Sequence, residues 1–274
     1  MTLPEMYLLK EGKNELTISD FHGLHFTGFT LQSPQPTQNY KQRTSQDGEY
    51  QVGDIIFGPR TVKADFYWET EGNYDFELAC SEIWRVMFSR SVMRIRDNRT
   101  PYQVMYVYAK PFDITRVSYY DMTFSVEFDL PSSFRQSIAW SDKLAENLQF
   151  GMTLPTNSTL QYEFTDKSFK VYNPSDIAIE PYDKRHQLDI IVTGQGLPNI
   201  TNHTTGDNFQ MTSGNLSDGD KLIIHNGVQY TLNGNPIERN TNHGTINLAM
   251  GWNEFTVTGC SKSDITFSFP FLYF

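Results

Sequence analysis

The sequence predicts a mainly β protein, with an α+β first half and a purely β second half. Hydrophobic and polar residues alternate with a period of two in several segments, which is typical of half-buried strands. Five segments show this alternation: 62–68, 124–130, 228–232, 255–257 and 265–269. The steps Asn226-Gly227 and Asn233-Gly234 favour the positive φ angles that tight turns between strands require.

Length and composition predict two hydrophobic cores. The chain has 274 residues, 38% of them hydrophobic, with 20 Phe and 15 Tyr. Large aromatic side chains suit strands, and a chain of this length can fill two cores of ordinary size. We therefore predict two domains, residues 1–140 and 141–274, with the boundary in the less patterned segment 137–158.

One segment of the first half has helical spacing. Between Tyr74 and Phe88, apolar residues recur at intervals of three and four, namely Phe76, Cys80, Ile83 and Met87. Asn73 precedes them and can cap the helix. We expect this helix to lie on a sheet that contains residues 62–68 and 102–108.

A long polar segment interrupts the strand pattern between Leu31 and Tyr50. Residues 33–49 contain no aliphatic side chain, and loops of this length are usually either disordered or used to bind a partner. We favour a partner-binding arm, for which Gln35, Tyr40, Arg43 and Asp47 are the candidate interface residues.

Charge and cysteine content exclude several classes of protein. The formal net charge of −10 disfavours sequence-specific binding to DNA, because affinity for DNA comes from neutralising phosphates. Cys80 and Cys260 are too few for a disulfide framework or a cysteine zinc site. Residues 1–16 lack a signal-peptide pattern and no run of about 18 apolar residues occurs, so we expect a soluble, unsecreted chain without membrane insertion.

Motifs for catalysis are missing from the sequence. There is no phosphate loop, no dinucleotide glycine pattern and no Gly-x-Ser-x-Gly elbow. His22 and His25 lack the HExxH context of a zinc site, and Asp218-Gly219-Asp220 favours a turn over a calcium loop. We therefore predict no enzyme, no catalytic residue, no metal and no cofactor, although a hydrolase whose carboxylates meet only in space stays open.

Two further groups of side chains have alternative interpretations. Arg85, Arg90, Arg94 and Arg96 concentrate positive charge, which suits either a protein interface or a solvated face. Exposed aromatic residues of a β-sandwich can stack on sugars, and core packing explains the same residues equally well. The candidates for such a glycan platform are Trp252 and Tyr172, followed by Trp140 and Tyr162.

The order of these features resembles the siphophage distal tail proteins, often called Dit. The resembling segments of the first half are Ile18–Gly23, Gln46–Tyr50, Ile55–Val62, the predicted helix and Phe128–Pro131. Those of the second half are Phe169–Pro174, Ile190–Gly194, Gly219–Ile224, Leu232–Gly234 and Gly251–Gly259. The resemblance implies an N-terminal ring-forming belt domain, with one helix on a β-sandwich, followed by a C-terminal galectin-like β-sandwich.

The resemblance also implies a structural function in the virion. Six copies of the chain would form a hub ring at the distal end of the tail, after synthesis in the host cytoplasm. The implied partners are the major tail or tube protein, the tail-associated (Tal) protein, the tape-measure protein and a receptor-binding protein, with a conduit for the tape measure and DNA. The alternative function is a carbohydrate-binding adhesin that contacts the host cell surface.

Overall fold

The chain divides into two compact units. The structure is a computed structural model that describes residues 3–69, 76–146, 152, 154–155 and 160–274. Unit 1 comprises residues 1–135 and Phe274, and unit 2 comprises residues 136–273. Independent folding of two domains within the limits 1–140 and 141–274 stays a prediction.

Unit 1 is a β structure that carries the only long helix among the described residues. Its elements are β1 (Met6–Leu9), β2 (Leu16–Thr17), a 3-10 turn (Ile18–Asp20), β3 (Leu24–Leu31), β4 (Gln35–Thr37), β5 (Tyr40–Lys41), β6 (Tyr50–Gln51), β7 (Ile56–Gly58), β8 (Arg60–Glu69), α1 (Phe76–Met87), β9 (Met93–Asp97), β10 (Gln103–Ala109), β11 (Ile114–Arg116) and β12 (Asp121–Leu130). The main sheet has the order β2-β1-β9-β10-β12-β8-β3, and β11 pairs with β12.

The core of unit 1 follows the predicted alternation. Strands β8 and β12 pair antiparallel over their whole length, from Asp121 opposite Glu69 to Leu130 opposite Arg60. Every second side chain of both strands is buried, whereas those between them are exposed or half-buried. The predicted strands at 62–68 and 124–130 are therefore confirmed.

Helix α1 covers this core with one face. Ala79, Ile83 and Met87, at intervals of four, are buried in the same cluster as side chains of β8 and β10. The predicted helix and the sheet beneath it are confirmed. The predicted first residues of the helix and its cap Asn73 lie outside the described residues.

Unit 2 is built around two long strands. Its elements are β13 (Arg135–Trp140, which starts at the last residue of unit 1), a 3-10 segment (Ser141–Glu146), β14 (Glu163–Phe164), β15 (Ser168–Asn173), α2 (Pro181–Lys184), β16 (Asp189–Asn202), β17 (Asn208–Gln210), β18 (Lys221–His225), β19 (Gln229–Leu232), β20 (Asn235–Pro236), a 3-10 turn (Glu238–Asn240), β21 (Gly251–Ser268) and β22 (Pro270–Tyr273). The sheet order is β14-β21-β16-β18-β19-β20; β15 also pairs with β21, β17 with β16, and β13 with β22.

Strand β21 folds back on itself, and glycines permit this. Phe255 and Phe267 would lie about 40 Å apart on a straight strand, yet their ring centroids are 4.9 Å apart. The register between β16 and β21 shifts near Gly196. A Cβ atom there would lie 2.2 Å from the carbonyl oxygen of Gly259, and one at Gly259 would lie 1.9 Å from that of Leu197. Because only glycine tolerates such an approach, these two positions let the long strands bend and enclose a core.

The turns of unit 2 agree with the sequence, with one exception. Asn226 and Asn233 have φ angles of 48° and 50° and each precedes a glycine with positive φ, so both Asn-Gly turns are confirmed. Val228 was predicted to be buried in a strand, and this is wrong. Val228 belongs to the turn before β19 and is 54% exposed. The strand begins at Gln229, one residue later than the alternation predicted.

His186 makes the stability of unit 2 dependent on pH. Its Nδ1 accepts a hydrogen bond from the amide of Glu180 over 3.1 Å. The ring also hydrogen-bonds the backbone of Ala178, and burial lowers its pKa from 6.5 to about 4. Because the unfolded chain binds a proton in this window that the folded chain does not, the free energy of unfolding decreases as the pH falls from 6.5 to about 4.

We predict that this loss amounts to roughly 2 kcal/mol, discounted for the partial exposure of the ring. The variant His186→Gln should lack this part of the pH dependence. Chemical denaturation of both proteins above pH 6.5 and near pH 4 measures the effect. An identical pH dependence in the two proteins would contradict the assignment.

Candidate functional site

The predicted arm is one side of a two-stranded β-ribbon, which we define as residues 33–58. Strand β4 pairs with β7, with Gln35 opposite Gly58, and strand β5 pairs with β6, with Tyr40 opposite Gln51. Arg43 and Asp47 lie in the segment between β5 and β6, at the tip of the ribbon. The segment is therefore ordered as paired strands rather than as an irregular loop. Its role in partner binding stays a prediction.

The ribbon has no hydrophobic core of its own. All residues from 35 to 51 are exposed. Four of its large apolar side chains are exposed: Tyr40 (52%), Tyr50 (42%), Ile55 (39%) and Ile56 (48%). The guanidinium of Arg43 lies 5.1 Å from the ring centroid of Tyr50, which joins the two sides near the tip. An exposed apolar surface on a paired ribbon is typical of a segment that contacts another molecule.

A buried arginine fixes the base of the ribbon. Arg60, the first residue of β8, is 4% exposed. Its Nε donates to the carbonyl of Gln32 over 2.8 Å and its NH1 to the carbonyl of Ser133 over 3.2 Å. The hydroxyl of Ser133 in turn donates to the carbonyl of Phe57 over 2.6 Å. One side chain thus ties both ends of the ribbon to the sheet of unit 1.

The predicted arginine cluster separates into two pairs. Arg94 and Arg96 both bind the carboxylate of Glu15, at 2.8 Å and 2.6 Å, and their side chains are only 21% and 15% exposed. Arg96 also stacks over Tyr7, at 4.1 Å from its ring centroid. Hydrogen bonding from Arg96, with a smaller contribution from Arg94, lowers the pKa of Glu15. These two arginines are held within unit 1.

Arg85 and Arg90 are exposed instead, near the end of helix α1. The side chain of Arg85 is 75% exposed and lies 3.6 Å from Glu82. It lines a cleft of about 550 Å³ together with Lys10 and Lys13. Lys10 caps the helix by donating to the carbonyls of Arg85 and Phe88, each over 2.7 Å. Asp20 and Glu82 line the same cleft, so its charge is mixed. The use of Arg85 and Arg90 in an interface stays a prediction.

The outer face of α1 is an apolar surface that the sequence analysis missed. Leu78, Trp84 and Phe88 are 61%, 42% and 38% exposed. The ring of Phe88 stacks on Phe112, which stacks on the core residue Phe124. The signal was present in the sequence, because these three residues lie outside the apolar stripe that starts at Phe76. A second such surface is the turn between β11 and β12, where Val117, Tyr119 and Tyr120 are 63%, 56% and 49% exposed.

Trp252 and Tyr172 lie side by side on the surface of unit 2. They are opposite each other on β21 and β15, their ring centroids are 4.9 Å apart, and Trp252 is 44% exposed. The structure therefore brings together the two residues proposed for a glycan platform. The prediction that Tyr162 belongs to such a platform is wrong. Its side chain is only 4% exposed, and its hydroxyl donates to the carbonyl of Tyr172 over 2.8 Å.

A buried amide network positions Trp252. The neighbouring Asn253 is fully buried; its Oδ1 accepts from the amide of Ala249 and its Nδ2 donates to the carbonyl of Ala249, each over 2.8 Å. Asn202, also fully buried, donates to Asn253 over 3.2 Å. Because successive side chains of a strand point to opposite faces, fixing Asn253 inward fixes Trp252 outward.

The remaining candidates show no catalytic arrangement. His22 and His25 are exposed, on a turn and on β3. Asp218-Gly219-Asp220 is a turn in which Asp220 Oδ2 accepts from the amide of Ser217 over 2.8 Å. Within residues 3–69, 76–146 and 160–274, no three His, Cys, Asp or Glu side chains form a group able to hold a metal ion. No helix in those ranges is long and apolar enough to cross a membrane.

Comparison with known proteins finds similarity to phage tail proteins. Residues 11–130 match the family described as phage tail protein RIFT-related domain. No curated protein matches the sequence significantly. Among solved structures, the chain is similar to SPP1 Dit, a paradigm of the hub adsorption apparatus in phages that infect Gram-positive bacteria. The TM-score is 0.67 with 12% identity over 97% of this chain and 99% of that one.

A second solved structure also matches the chain. The chain matches a component of the phage p2 baseplate, in its activated conformation with Sr, with a TM-score of 0.45 and 10% identity over 98% of each chain. The predicted resemblance to the distal tail proteins is confirmed at the level of the fold and of the N-terminal family match.

We predict that Arg60→Met lowers the free energy of unfolding of unit 1 by about 1–3 kcal/mol, because the buried carbonyl of Ser133 and the part-buried carbonyl of Gln32 lose their donor. Proteolysis within the ribbon should become faster. Chemical denaturation and limited proteolysis measure both effects. The matched control is Arg43→Met at the exposed tip, which should change stability by less than about 0.5 kcal/mol. Equal stability of the Arg60 variant and the wild type would contradict the anchoring role.

We also predict that Glu15→Gln destabilises unit 1 by about 1–2 kcal/mol at neutral pH, allowing for solvent screening of this partly exposed cluster. The carboxylate contributes its stability above its ordinary pKa of 4.5 and loses it as the pH falls through its lower folded pKa. The difference between wild type and variant should therefore shrink in acid. Glu82→Gln, whose partner Arg85 is exposed, is the control and should have almost no effect. A difference that persists unchanged in acid would refute the assignment.

Proposed function

We propose that this chain, a Dit-like structural protein of the siphophage tail or baseplate and not an enzyme, forms a six-membered hub ring at the distal end of the tail. In this position the ring would join the tail tube to the tail-associated (Tal) protein and the host-adsorption apparatus. Its hole would serve as the conduit for the tape-measure protein and DNA, and a receptor-binding protein would attach at the periphery.

The exposed ribbon supports this proposal more than any other feature. It is fixed at its base by Arg60, yet it presents Tyr40, Tyr50 and Ile56 to solvent. Because the ribbon has no core of its own, covering those apolar side chains would stabilise it further. A neighbouring copy of the same chain supplies such a cover in a ring, because a cyclic assembly uses two different faces of each protomer.

Unit 1 carries suitable receiving faces for a neighbour's ribbon. The outer face of α1 exposes Leu78 and Trp84, and the β11–β12 turn exposes Tyr119. Both lie in unit 1, as the ribbon does. Two different apolar faces on one unit are what a heterologous, ring-closing contact requires, whereas a two-fold dimer uses one face twice.

The charge of the chain suits a conduit. The formal net charge is −10, and an acidic wall repels phosphates instead of binding them. DNA can therefore pass a ring of this protein without adhering to it.

The second candidate function is an adhesin that binds carbohydrate on the host cell surface. The observation that favours it is the exposed pair of Trp252 and Tyr172 on unit 2. This function is compatible with the ring, since it uses a different unit of the chain.

Removal of the ribbon tip tests the ring. We expect the wild type to scatter light as a hexamer and to show six-fold rings in negative stain. In the variant, residues 38–54 are replaced by an Asn-Gly turn, which preserves the β4–β7 pair and the Arg60 anchor. This variant should be a folded monomer, because the intermolecular contact is lost and the core of unit 1 is untouched.

The matched control removes exposed apolar side chains elsewhere. Tyr182 and Val228 of unit 2 are 61% and 54% exposed, so their double replacement by alanine removes a comparable apolar surface without touching the ribbon. The control should remain a hexamer. If the tip-deleted variant remained a hexamer, this result would contradict the proposed role of the ribbon.

A further inference from the structure

Three adjacent strands of unit 2 arrange their outward side chains in rows. In the register between β15 and β21, Tyr172 is opposite Trp252 and Lys170 is opposite Glu254. His203 follows directly after β16 and donates from its amide to the carbonyl of Glu254 over 2.8 Å. Alternation along the strands puts all five side chains on the outer face, because Val171, Asn253 and Asn202 between them are buried.

The first row is an aromatic corner. The planes of Trp252 and Tyr172 are inclined by 57°, so the two rings form an angled surface instead of a flat stack. The buried amides of Asn253 and Asn202 hold the backbone beneath it. Such a corner presents a fixed apolar face without rearrangement on binding.

The second row is polar and supplies both donors and acceptors. Lys170 Nζ lies 2.7 Å from Glu254 Oε1, and both side chains are about 60% exposed (61% and 59%). On the other side of Glu254, His203 Nε2 lies 2.8 Å from the hydroxyl of Thr256. Rows on one face of a strand are about 7 Å apart, so one hexopyranose unit and its hydroxyl groups can contact both rows.

We propose that this surface binds the uncharged hexopyranose units of a surface glycan. The C–H face of one sugar ring would stack on Trp252, with Tyr172 at its edge, while its hydroxyls would reach Lys170, Glu254 and His203. Aromatic faces attract apolar C–H surfaces, and a row of mixed donors and acceptors satisfies hydroxyl groups. This inference deepens the second candidate function and does not depend on ring formation.

The charge of unit 2 favours an uncharged sugar over an anionic polymer. The unit has 8 Lys and Arg against 14 Asp and Glu, which leaves a net charge of −6. At the site itself, the positive charge of Lys170 is already paired with Glu254. A phosphate-bearing or sulfated chain would meet repulsion from the unit and no free cation at this pair.

Titration of the full-length protein with lactose, maltotriose and tri-N-acetylchitotriose tests the inference, and dextran sulfate is titrated alongside as a polyanion. We expect at least one of the three to bind weakly, with heat in calorimetry and a change in tryptophan fluorescence. The variant Trp252→Ala should lower the affinity about tenfold or more, because the stacking face is lost. Glu254→Gln should lower it severalfold without changing the melting temperature.

Tyr182→Ala is the matched control, since Tyr182 is an aromatic residue of unit 2 that is 61% exposed and lies outside the two rows. It should bind like the wild type. Absence of binding for all three saccharides overturns the inference, and so does equal binding by Trp252→Ala. Binding of dextran sulfate alone overturns it as well, because the ligand would then be a polyanion.

Light scattering on the same samples separates this inference from the ring. A hexamer that binds none of the saccharides overturns the glycan site and leaves the hub function intact. A monomer that binds a saccharide through Trp252 supports the glycan site and contradicts the ring.

Discussion

The buried guanidinium of Arg60 connects the core of unit 1 to its most exposed part. Arg60 stands at the start of β8, a central strand whose ten residues all pair with β12. It also binds the carbonyls of Gln32 and Ser133 at the base of the ribbon. A ribbon whose residues 35–51 are all exposed has almost no internal packing, so its direction is set by this base. Arg60 therefore holds the exposed ribbon in a fixed position relative to the core of unit 1.

In unit 2, strand β21 both contributes to the core and holds the aromatic side chain of Trp252 at the surface. The bend at Gly196 and Gly259 lets β21 contribute to two parts of the core, as the contact between Phe255 and Phe267 shows. The side chain of Asn253 makes two hydrogen bonds with the backbone of Ala249, and these fix the first part of β21. The same alternation that buries Asn253 leaves Trp252 on the surface. Core packing and surface chemistry are therefore set by one strand.

Features that depend on neighbours in sequence could be predicted, and those that depend on distant pairing could not. Alternation predicted β8 and β12, and three-and-four spacing predicted α1, because burial on one face imposes these periods. Glu15 lies 79 residues from Arg94 in the sequence. No local pattern could therefore predict that Arg94 and Arg96 form ion pairs with a carboxylate of the same unit. The strand pairing of the ribbon was missed as well, because a polar segment without a buried face leaves its register unspecified.

Photo-cross-linking from the ribbon tests most directly whether the ribbon closes a ring of six. With benzoylphenylalanine in place of Tyr40, which is 52% exposed, irradiation of the purified protein should join the ribbon of one copy to unit 1 of the next. We expect a ladder of cross-linked products that ends at six chains. Products confined to a single chain, a ladder that ends at two, or one that continues beyond six would contradict it.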